Sequence, residues 1–507
     1  MEITDNNLAN LLKKYVIADP ARILCITGDE ETKAKTVWDS SCRFSSALKE
    51  IGIQRGSRII LVLPNSVEYI IAYYAILAAG AVVVPANVML KARELHYLMD
   101  DCEARAIISG IEKIEDVLSA SESLTTLRHQ IIQGDKVPHN VLHFERLIEE
   151  HQPDEMVADV SSNDTAVILY TAGTTGRPKG AELTHSALLG NAQMCINLFQ
   201  ARPDDRILGI LPFFHAFGQT AVMNTGIGAG ASLVLLPEFE PEDALTAIKK
   251  HQVTIFMGNP SMFSMMLTYP NSDQYDFSSV RYCVSGGSAL KPDLMKSFEE
   301  KFNTEILESY GLCETTALAT FNHMHRDRHA GSVGMPVDGV EVRVVDDSGE
   351  DVRCGEVGEL IIRSDYLMKG YLNRPEATRE VVKDGWFHSG DMGFADDDGY
   401  LHIIDRKTDM IVKSGFNVYP AEIEELLRAH PSIKEAAIIG IPDYVQGEEI
   451  KACIVINEGE TLSAEDLASY CKERLAKYKC PRYIQFYQQL PESPSGKILK
   501  NKLKNSS

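Results

Sequence analysis

The chain has 507 residues, of which 44% are hydrophobic and 24% are charged, and its formal net charge is -22 at pH 7. This length exceeds what one compact core accommodates, so we expect a large domain and a small one, of ordinary globular composition. The negative charge argues against non-specific binding to nucleic acid or to an anionic membrane, and an anionic ligand must therefore meet local positive charge.

Cysteine spacing and hydropathy exclude further classes. The 10 cysteines include no Cys-x-x-Cys pair, which predicts reduced, buried thiols in a cytoplasmic protein rather than a zinc site or a disulfide framework. Residues 1–14 have no signal-peptide apolar region, and the apolar run 69–84 is too short and too broken by Gly80 to span a bilayer.

Strands and helices alternate from residue 58 onward, which predicts parallel sheets covered by helices. The predicted strands are 59–63, 81–84, 104–108, 165–169, 232–236, 253–257 and 280–284, and the predicted helices are 67–79, 93–100, 241–250 and 260–267. The polar stretch 124–162 has little pattern, and we expect it to be a connection between two subdomains.

The pattern changes after about residue 331. Short strands at 340–345, 359–363 and 400–404, separated by turn residues, predict a small β-barrel-like subdomain. The acidic run at 396–399 is typical of a solvated turn rather than a calcium site. Helices at 421–429 and 463–475 and strands at 435–441 and 451–456 predict a small α+β domain at the C-terminus.

Residues 170–180 read Tyr-Thr-Ala-Gly-Thr-Thr-Gly-Arg-Pro-Lys-Gly and directly follow a predicted buried strand. Glycines let backbone N–H groups approach an anion, the hydroxyls donate to its oxygens and Lys179 adds charge, so the stretch is suited to a polyphosphate. It differs from the common phosphate loop because Pro178 disfavours a helix start at the lysine. A Gly/Thr-rich hairpin turn is the plainer interpretation.

Further motifs follow in order at 211–218, 285–290, 309–316, 385–391, 405–422 and 494–500. Together with the 170–180 loop they resemble the adenylate-forming superfamily of acyl-CoA synthetases, peptide-synthetase adenylation domains and luciferases. The run 416–420 is most similar to bacterial fatty acyl-CoA ligases. The resemblance implies an α/β N-terminal AMP-binding domain at 1–404, a hinge at 405–409 and a mobile lid domain at 410–507.

The reaction that the resemblance implies has two halves. A carboxylate attacks the α-phosphate of ATP and expels pyrophosphate, and a thiol, expected to be that of coenzyme A, then attacks the acyl-adenylate and expels AMP. The first half needs no general base because a carboxylic acid is already ionised at pH 7. Catalysis is therefore expected to consist of positioning and of stabilising negative charge at phosphorus.

The resemblance assigns the ATP-binding residues. The β- and γ-phosphates are assigned to Thr171, Thr174, Thr175, Gly176 and Lys179, and Mg²⁺ to Glu314 with Thr171. Thr315 is expected to donate to the α-phosphate. Adenine is expected to stack on Tyr310, beside Gly311, Gly286 and Gly287, while Asp391 and Arg406 serve the ribose. Ala172 departs from the family serine and removes one hydroxyl.

Lys497 is expected to bridge the α-phosphate and the substrate carboxylate. The family performs the second half-reaction after the small domain rotates about a pivot that falls at Thr408, where this chain departs from the family residue. After rotation, Ser414, Gly415 and Phe416 are expected to line the pantetheine tunnel, with Gly415 small enough to let the thiol arm pass.

His215, flanked by aromatic residues, is interpreted as a wall or gate of the acyl pocket, with a structural histidine as the alternative. The segments 213–220 and 257–266 are apolar, and methionines suit an adaptable pocket or plain core. An unbranched aliphatic carboxylic acid is the expected substrate, and an aryl acid is an alternative.

Three other functions share these motifs. They are a ligase that loads an acyl carrier protein, a luciferase-type oxygenase and a nucleotide-binding regulator on an inactive ligase scaffold. The expected partners are small molecules and, for the first alternative, a carrier protein, with the chain as a monomer or homodimer.

Overall fold

The computed structural model of the chain describes residues 6–172, 178–324, 326–329, 331–406, 410–491, 498 and 500–504. The described strands form four sheets, of nine, eight, five and five strands. Helices and strands are numbered below in chain order.

The eight-stranded sheet contains the two paired strands that flank residues 173–177. Its order is β19-β9-β8-β4-β3-β5-β6-β7, with parallel pairing from β8 to β7 and antiparallel pairing at β9 and β19. The strands are β3 (Arg58–Val62), β4 (Val82–Pro85), β5 (Ala106–Gly110), β6 (His129–Gln133), β7 (Leu142–His143), β8 (Thr165–Ala172), β9 (Pro178–Thr184) and β19 (Gly370–Tyr371). The helices along this part of the chain are α3 (Val67–Ala78), α4 (Ala92–Asp101), α5 (Ile114–Ser121) and α6 (Phe144–Glu149).

The nine-stranded sheet has the order β16-β15-β14-β13-β12-β10-β11-β1-β2. Its strands are β1 (Ile23–Thr27), β2 (Glu30–Lys33), β10 (Arg206–Gly209), β11 (Ser232–Leu235), β12 (Ile255–Gly258), β13 (Tyr282–Ser285), β14 (Ile306–Tyr310), β15 (Thr320–Phe321) and β16 (Met335–Pro336). The helices around it are α1 (Asn10–Ala18), α2 (Ala34–Glu50), α7 (His185–Phe199), α8 (Thr225–Ala229), α9 (Pro241–His251), α10 (Pro260–Thr268) and α11 (Pro292–Phe302), and a π-helical stretch (Phe217–Asn224) precedes α8.

Helix α3 joins the two large sheets. Its residues from Tyr69 to Ala78 are all buried, because the segment is apolar on every face. The hydroxyl of Tyr69 donates to the carbonyl of Phe213 at 2.9 Å, and that of Tyr74 donates to Oδ1 of Asn224 at 2.9 Å. These bonds fix the segment after β10 against the helix that follows β3, and so position the wall of the site described below.

The third sheet is antiparallel and contains β17 (Val340–Val345), β18 (Gly358–Ser364), β20 (Val382–Lys383), β21 (Trp386–Ala395) and β22 (Leu401–Arg406), with α12 (Pro375–Val381) beside it. The fourth sheet, with its helices, forms the C-terminal unit. It contains β23 (Ile411–Lys413), β24 (Phe416–Val418), β25 (Ile433–Asp443), β26 (Gly447–Ile456), β27 (Tyr483–Phe486), α13 (Pro420–Arg428), α14 (Ala464–Arg474) and α15 (Lys500–Lys504).

The predicted fold class is confirmed: parallel, helix-covered sheets form a large N-terminal part, and a smaller α+β unit follows. The prediction that 124–162 is a connection between two subdomains is wrong, because β6 and β7 are strands of the eight-stranded sheet. Ile131 and Ile132 are buried there, and the polar residues around them concealed the pattern. All ten cysteines are free. None of the described helices is both long and apolar enough to cross a bilayer.

Gly334 provides a test of how β15 and β16 are held against β14, the strand that ends at Tyr310. Gly334 has φ +86°, and a Cβ there would lie 2.0 Å from the carbonyl carbon of Phe321. We expect Gly334→Ala to lower the free energy of unfolding by about 2–4 kcal/mol, because a left-handed backbone and a backbone collision add together.

Gly349 is the matched control, with φ +85° and nothing within 4 Å of the added Cβ. Gly349→Ala should cost only the conformational part, about 1–2 kcal/mol. Thermal and urea unfolding of both variants make the comparison, and equal losses would show that the close approach at Gly334 is unimportant.

Candidate active site

Two adjoining cavities lie where the large sheets meet the C-terminal unit. Cavity A has a volume of about 330 Å³ and is bordered by Lys179, Gly286, Tyr310 and Glu314 among others. Cavity B has a volume of about 420 Å³ and is bordered by Asn87, Arg93, Phe416 and Tyr478 among others. The strands that lead to cavity A end there at their carboxyl ends, the usual place for a ligand in open α/β sheets.

Five of the described residues border both cavities: Thr171, His215, Cys313, Asn417 and Tyr419. The first three come from the N-terminal part, and the last two come from β24 and the start of α13. The two cavities therefore share a wall to which both parts of the chain contribute.

The carboxylate of Glu314 is held by two hydroxyl groups. Thr171 Oγ1 lies 3.2 Å from Glu314 Oε1, and the Tyr371 hydroxyl donates to the same oxygen at 2.7 Å. Burial and the neighbouring Glu314 raise the pKa of Tyr371, so that its hydroxyl remains a donor. Glu314 follows β14 of one sheet, whereas Thr171 and Tyr371 belong to β8 and β19 of the other. Carboxylate and hydroxyl oxygens form a donor set that fits Mg²⁺.

Lys179 lies on the hairpin formed by β8 and β9. Thr171 and Lys179 are directly paired across its two strands, so their side chains share one face of the sheet. Lys179 is buried, and its ammonium lies 5.2 Å from the centre of the Tyr371 ring. The hairpin thus directs a hydroxyl and a buried cation to the cavity edge, and the expected absence of a helix at Lys179 is confirmed.

Four of the predicted adenosine residues border cavity A: Gly286, Gly287, Tyr310 and Gly311. The Tyr310 hydroxyl donates to Oδ2 of Asp391 at 2.6 Å, which ties β14 to β21. Gly286 and Gly287 border cavity A. A Cβ on Gly286 would lie 2.9 Å from the Phe217 ring, so glycine permits that ring to close the apolar end of the cavity.

Gly311 and Thr315 support the wall locally. A Cβ on Gly311 would lie 1.5 Å from the carbonyl oxygen of Ala317, so this position requires glycine for backbone packing. The Thr315 hydroxyl donates to the carbonyl of Leu312 and accepts from its N–H, at 3.0 and 2.9 Å. The structure therefore places Thr315 behind the cavity wall, and Cys313 borders the cavity instead.

His215 is a neutral residue of the shared wall. Its Nδ1 accepts from the backbone N–H of Phe217 at 3.3 Å, which assigns the proton to Nε2. Burial lowers the pKa of His215 to about 4, so the ring is uncharged at neutral pH. This environment agrees with the wall interpretation and provides no charged form for acid catalysis.

The tip of the β23–β24 hairpin contacts the start of α10. Asn259 Nδ2 donates to the carbonyl of Ser414 at 3.0 Å, and a Cβ on Gly415 would lie 2.5 Å from that nitrogen. Gly415 also has φ +81°. It borders neither cavity, whereas Phe416 borders cavity B and stacks on Tyr478 with 4.7 Å between ring centres. Glycine is needed here for the docking of the hairpin tip.

Several predicted residues lie outside the described part of the chain. They are Thr174, Thr175, Gly176, Thr408 and Lys497, and of Arg406 only the backbone, at the end of β22, is described. Ile498, next to Lys497, packs with Ala437 and Ile439 of β25. The alternate residues Ala436 and Ile438 face α13 and α14 on the other side of the sheet.

Some residues that border the cavities were given no role in advance. Cys313, Asn417 and Tyr419 lie inside the motifs at 309–316 and 405–422, whereas Tyr371 lies outside the motifs. The methionines at 257, 262 and 266 are buried in the main core and border neither cavity, so the plain-core alternative for them is correct.

Comparisons with known proteins identify family profiles and relatives that match most of the chain. The family profile described as AMP-binding enzyme matches residues 16–372, and that of the AMP-binding enzyme C-terminal domain matches residues 422–497. A long-chain-fatty-acid–CoA ligase of Bacillus subtilis is 35% identical over 481 residues, which are 89% of this chain and 86% of that protein. A feruloyl-CoA synthase of an Amycolatopsis species is 35% identical over 468 residues, 91% of each chain.

Among solved structures, an o-succinylbenzoate CoA synthetase of Bacillus subtilis bound with its product analogue OSB-NCoA superposes with a TM-score of 0.86. It is 28% identical, and the match covers 98% of both chains. The resemblance seen in the motifs is thus confirmed over nearly the whole length of the chain, which belongs to the AMP-binding enzyme family.

Proposed function

We propose that this protein is an ATP-dependent acyl-CoA ligase that forms an acyl-adenylate in cavity A and transfers the acyl group to coenzyme A arriving through cavity B. The observation that carries the proposal is the shared wall of the two cavities. A two-step transfer needs one reactive carbon that is accessible first to a nucleotide and then to a thiol, and a common wall provides this.

In the first step, a substrate carboxylate oxygen bonds to the α-phosphorus of ATP while the bond to the β-phosphate oxygen breaks and pyrophosphate leaves. Lys179 and the hydroxyl of Thr171 are positioned for the phosphates, and Glu314 with Thr171 would hold Mg²⁺, which supplies charge neutralisation at the phosphate oxygens when bound. The Tyr371 hydroxyl orients the Glu314 carboxylate. Tyr310 and Asp391 offer a ring and a carboxylate to adenosine.

In the second step, the thiol sulfur bonds to the acyl carbon, the bond from that carbon to the AMP oxygen breaks, and the thiol proton is released to solvent. His215, Asn417 and Tyr419 border the reacting region from opposite sides. The neutral His215 and the protonated Cys313, whose pKa burial raises, put no competing charge at the acyl carbon.

The domain arrangement described above suits this second step. Phe416, Asn417 and Tyr419 of the C-terminal unit border the cavities, whereas Ile498 packs on the sheet face opposite to α13. We therefore propose that residues 405–409 form a hinge between units 1–404 and 410–507, and that adenylation, which the family performs with Lys497, uses another orientation.

The substrate we propose is an unbranched aliphatic acid of medium or long chain. Phe217, Ala317 and Leu318 give part of the wall of cavity A an apolar surface, which suits an aliphatic chain. The fatty-acid ligase relative supports this class, and the feruloyl-CoA synthase relative supports an aryl acid as the second candidate. ATP and coenzyme A as cosubstrates favour a cytoplasmic location.

The proposal is tested with ATP, Mg²⁺, coenzyme A and single acids from C2 to C18, together with ferulate and benzoate. We expect AMP and acyl-CoA to form in equal amounts, with kcat/KM highest for C8 to C18 acids. A phosphopantetheinylated carrier protein replaces coenzyme A in a parallel series. Faster transfer to the carrier, or turnover confined to aryl acids, would replace the proposal with the corresponding alternative.

Glu314→Gln tests the metal and phosphate side of the site. The amide keeps the size of the side chain but removes its charge, so we expect acid-dependent pyrophosphate exchange to fall by about a hundredfold, the scale of a lost preorganised electrostatic contact. Glu380→Gln, also at cavity A, is the control and should retain activity. Similar activity of both variants would show that Glu314 does not bind the metal.

Gly415→Leu tests the hairpin tip. Its side chain would collide with Asn259, and we expect thioester formation from supplied acyl-adenylate to fall by about a hundredfold, as for a 1 Å misplacement. Pyrophosphate exchange should stay near the wild-type rate.

Gly459→Leu is the matched control, because Gly459 is in the same unit, has φ +81° and has nothing within 4 Å of an added Cβ. A parallel loss of both half-reactions in Gly415→Leu would show that the variant damages the fold rather than the docking.

A further inference from the structure

Lys479 makes a buried contact with two carboxylates. Its ammonium lies 2.7 Å from Glu94 Oε1 and 2.8 Å from Glu422 Oε1. The side chains of Lys479 and Glu94 are each 8% exposed, and that of Glu422 is 17% exposed. The triad thus combines two negative charges and one positive charge away from solvent.

The triad crosses between the two parts of the chain. Glu94 lies on α4 of the N-terminal part, whereas Glu422 lies on α13 and Lys479 in a 3₁₀ turn (Lys477–Lys479), both in the C-terminal unit. The N–H of Ala476 donates to Glu94 Oε2 at 3.0 Å, and the N–H of Lys91 donates to the same oxygen at 3.0 Å. Glu94 is therefore anchored on its own helix and receives two donors from the other unit.

The segment around Lys479 is docked into the N-terminal core. Ala476 is fully buried in the hydrophobic cluster that contains Ile60 and Val84, and Tyr478 packs against the same cluster. Tyr478 also stacks on Phe416, and both rings border cavity B. Lys479, Glu94 and Glu422 border the same cavity, so the triad forms part of the wall along which a thiol would enter.

Charge burial makes this contact sensitive to domain orientation. Removing one partner of a buried ion pair leaves an uncompensated charge, which is far more costly than losing an exposed pair. Since the partners belong to different units, any rotation that separates α4 from the 3₁₀ turn breaks the triad and exposes its charges to water. The triad can therefore stabilise only the orientation of the two units in which α4 contacts the 3₁₀ turn.

We propose that Lys479, with Glu94 and Glu422, is a positioning residue for the second half-reaction: the triad holds the C-terminal unit in the orientation for thioester formation and opens for adenylation. This inference rests on the proposed function and adds to it the contact that selects between the two orientations.

The first test is a double-mutant cycle with Lys479→Met, Glu94→Gln and the double variant. Glutamine keeps an acceptor for the N–H groups of Lys91 and Ala476 while removing the charge. We expect Lys479→Met to slow thioester formation from supplied acyl-adenylate by about tenfold or more, with non-additive effects in the double variant. Pyrophosphate exchange should remain unchanged or rise.

Arg281→Met is the matched control, because Arg281 pairs with the buried Asp205 inside the N-terminal part, at 2.7 Å. We expect it to affect both half-reactions alike. Equal loss of both half-reactions in Lys479→Met, or an unchanged rate of thioester formation, would overturn the proposal. If Lys479→Met fails to fold, Glu94→Gln alone must slow thioester formation without slowing pyrophosphate exchange.

Hydrogen–deuterium exchange without substrates gives a readout that is independent of activity. In Lys479→Met we expect faster exchange in α4 and in residues 475–480, with unchanged exchange in the β25–β26 pair. Unchanged protection of α4 and 475–480 would refute the docking role. An inactive wild-type protein with this exchange pattern would instead refute the proposed function while leaving the inter-unit contact in place.

Discussion

The hydrogen-bonded carboxylate of Glu314 is the contact on which the rest of the site depends. Its Oε1 accepts from Thr171 and Tyr371, and these three residues come from two different sheets. The carboxylate therefore fixes the relative position of the β8–β9 hairpin and the end of β14. Displacing it would move the edges of cavity A at Thr171 and at Tyr310 together, because Tyr310 ends β14 just before the turn that carries Glu314.

The shared wall follows from this junction. Thr171, His215 and Cys313 lie at the meeting point of the two sheets, and Asn417 and Tyr419 close it from the C-terminal unit. In the proposed mechanism, the C-terminal unit rotates and contributes wall residues, so that one reactive carbon is used in both steps. The interface between the units then has to be stable in each orientation and separable between them.

Much of the architecture follows from local patterns. The β-branched runs at 165–169 and 280–284 and the apolar helix at 67–78 were recognisable because burial on both faces leaves few polar residues in an element. The strands at 129–133 and 142–143 were missed, because only Ile131 and Ile132 are buried in the first, the second is two residues long, and the residues around them are polar. Gly286 and Gly311 were placed in the site by motif, but only the structure explains them, through the Phe217 ring and the Ala317 carbonyl.

Long-range pairings account for what the sequence could not predict. Lys479 and Glu94 are 385 positions apart, and nothing local distinguishes Lys479 from the other lysines near the C-terminus. Tyr371 has the same difficulty, because its role depends on Glu314, which follows the last residue of β14 in the other large sheet. Thr315 shows the reverse case: a hydroxyl in the right motif is used by its own turn, while Cys313 borders the cavity.

Exchange of labelled pyrophosphate into ATP, measured without coenzyme A, tests the central claim most directly. The account predicts exchange that requires both the carboxylic acid and Mg²⁺ and that does not require coenzyme A, because no thiol takes part in the first step. Exchange that occurs only when coenzyme A is present, or that is independent of the acid, would contradict a separate adenylation step at the Glu314 junction.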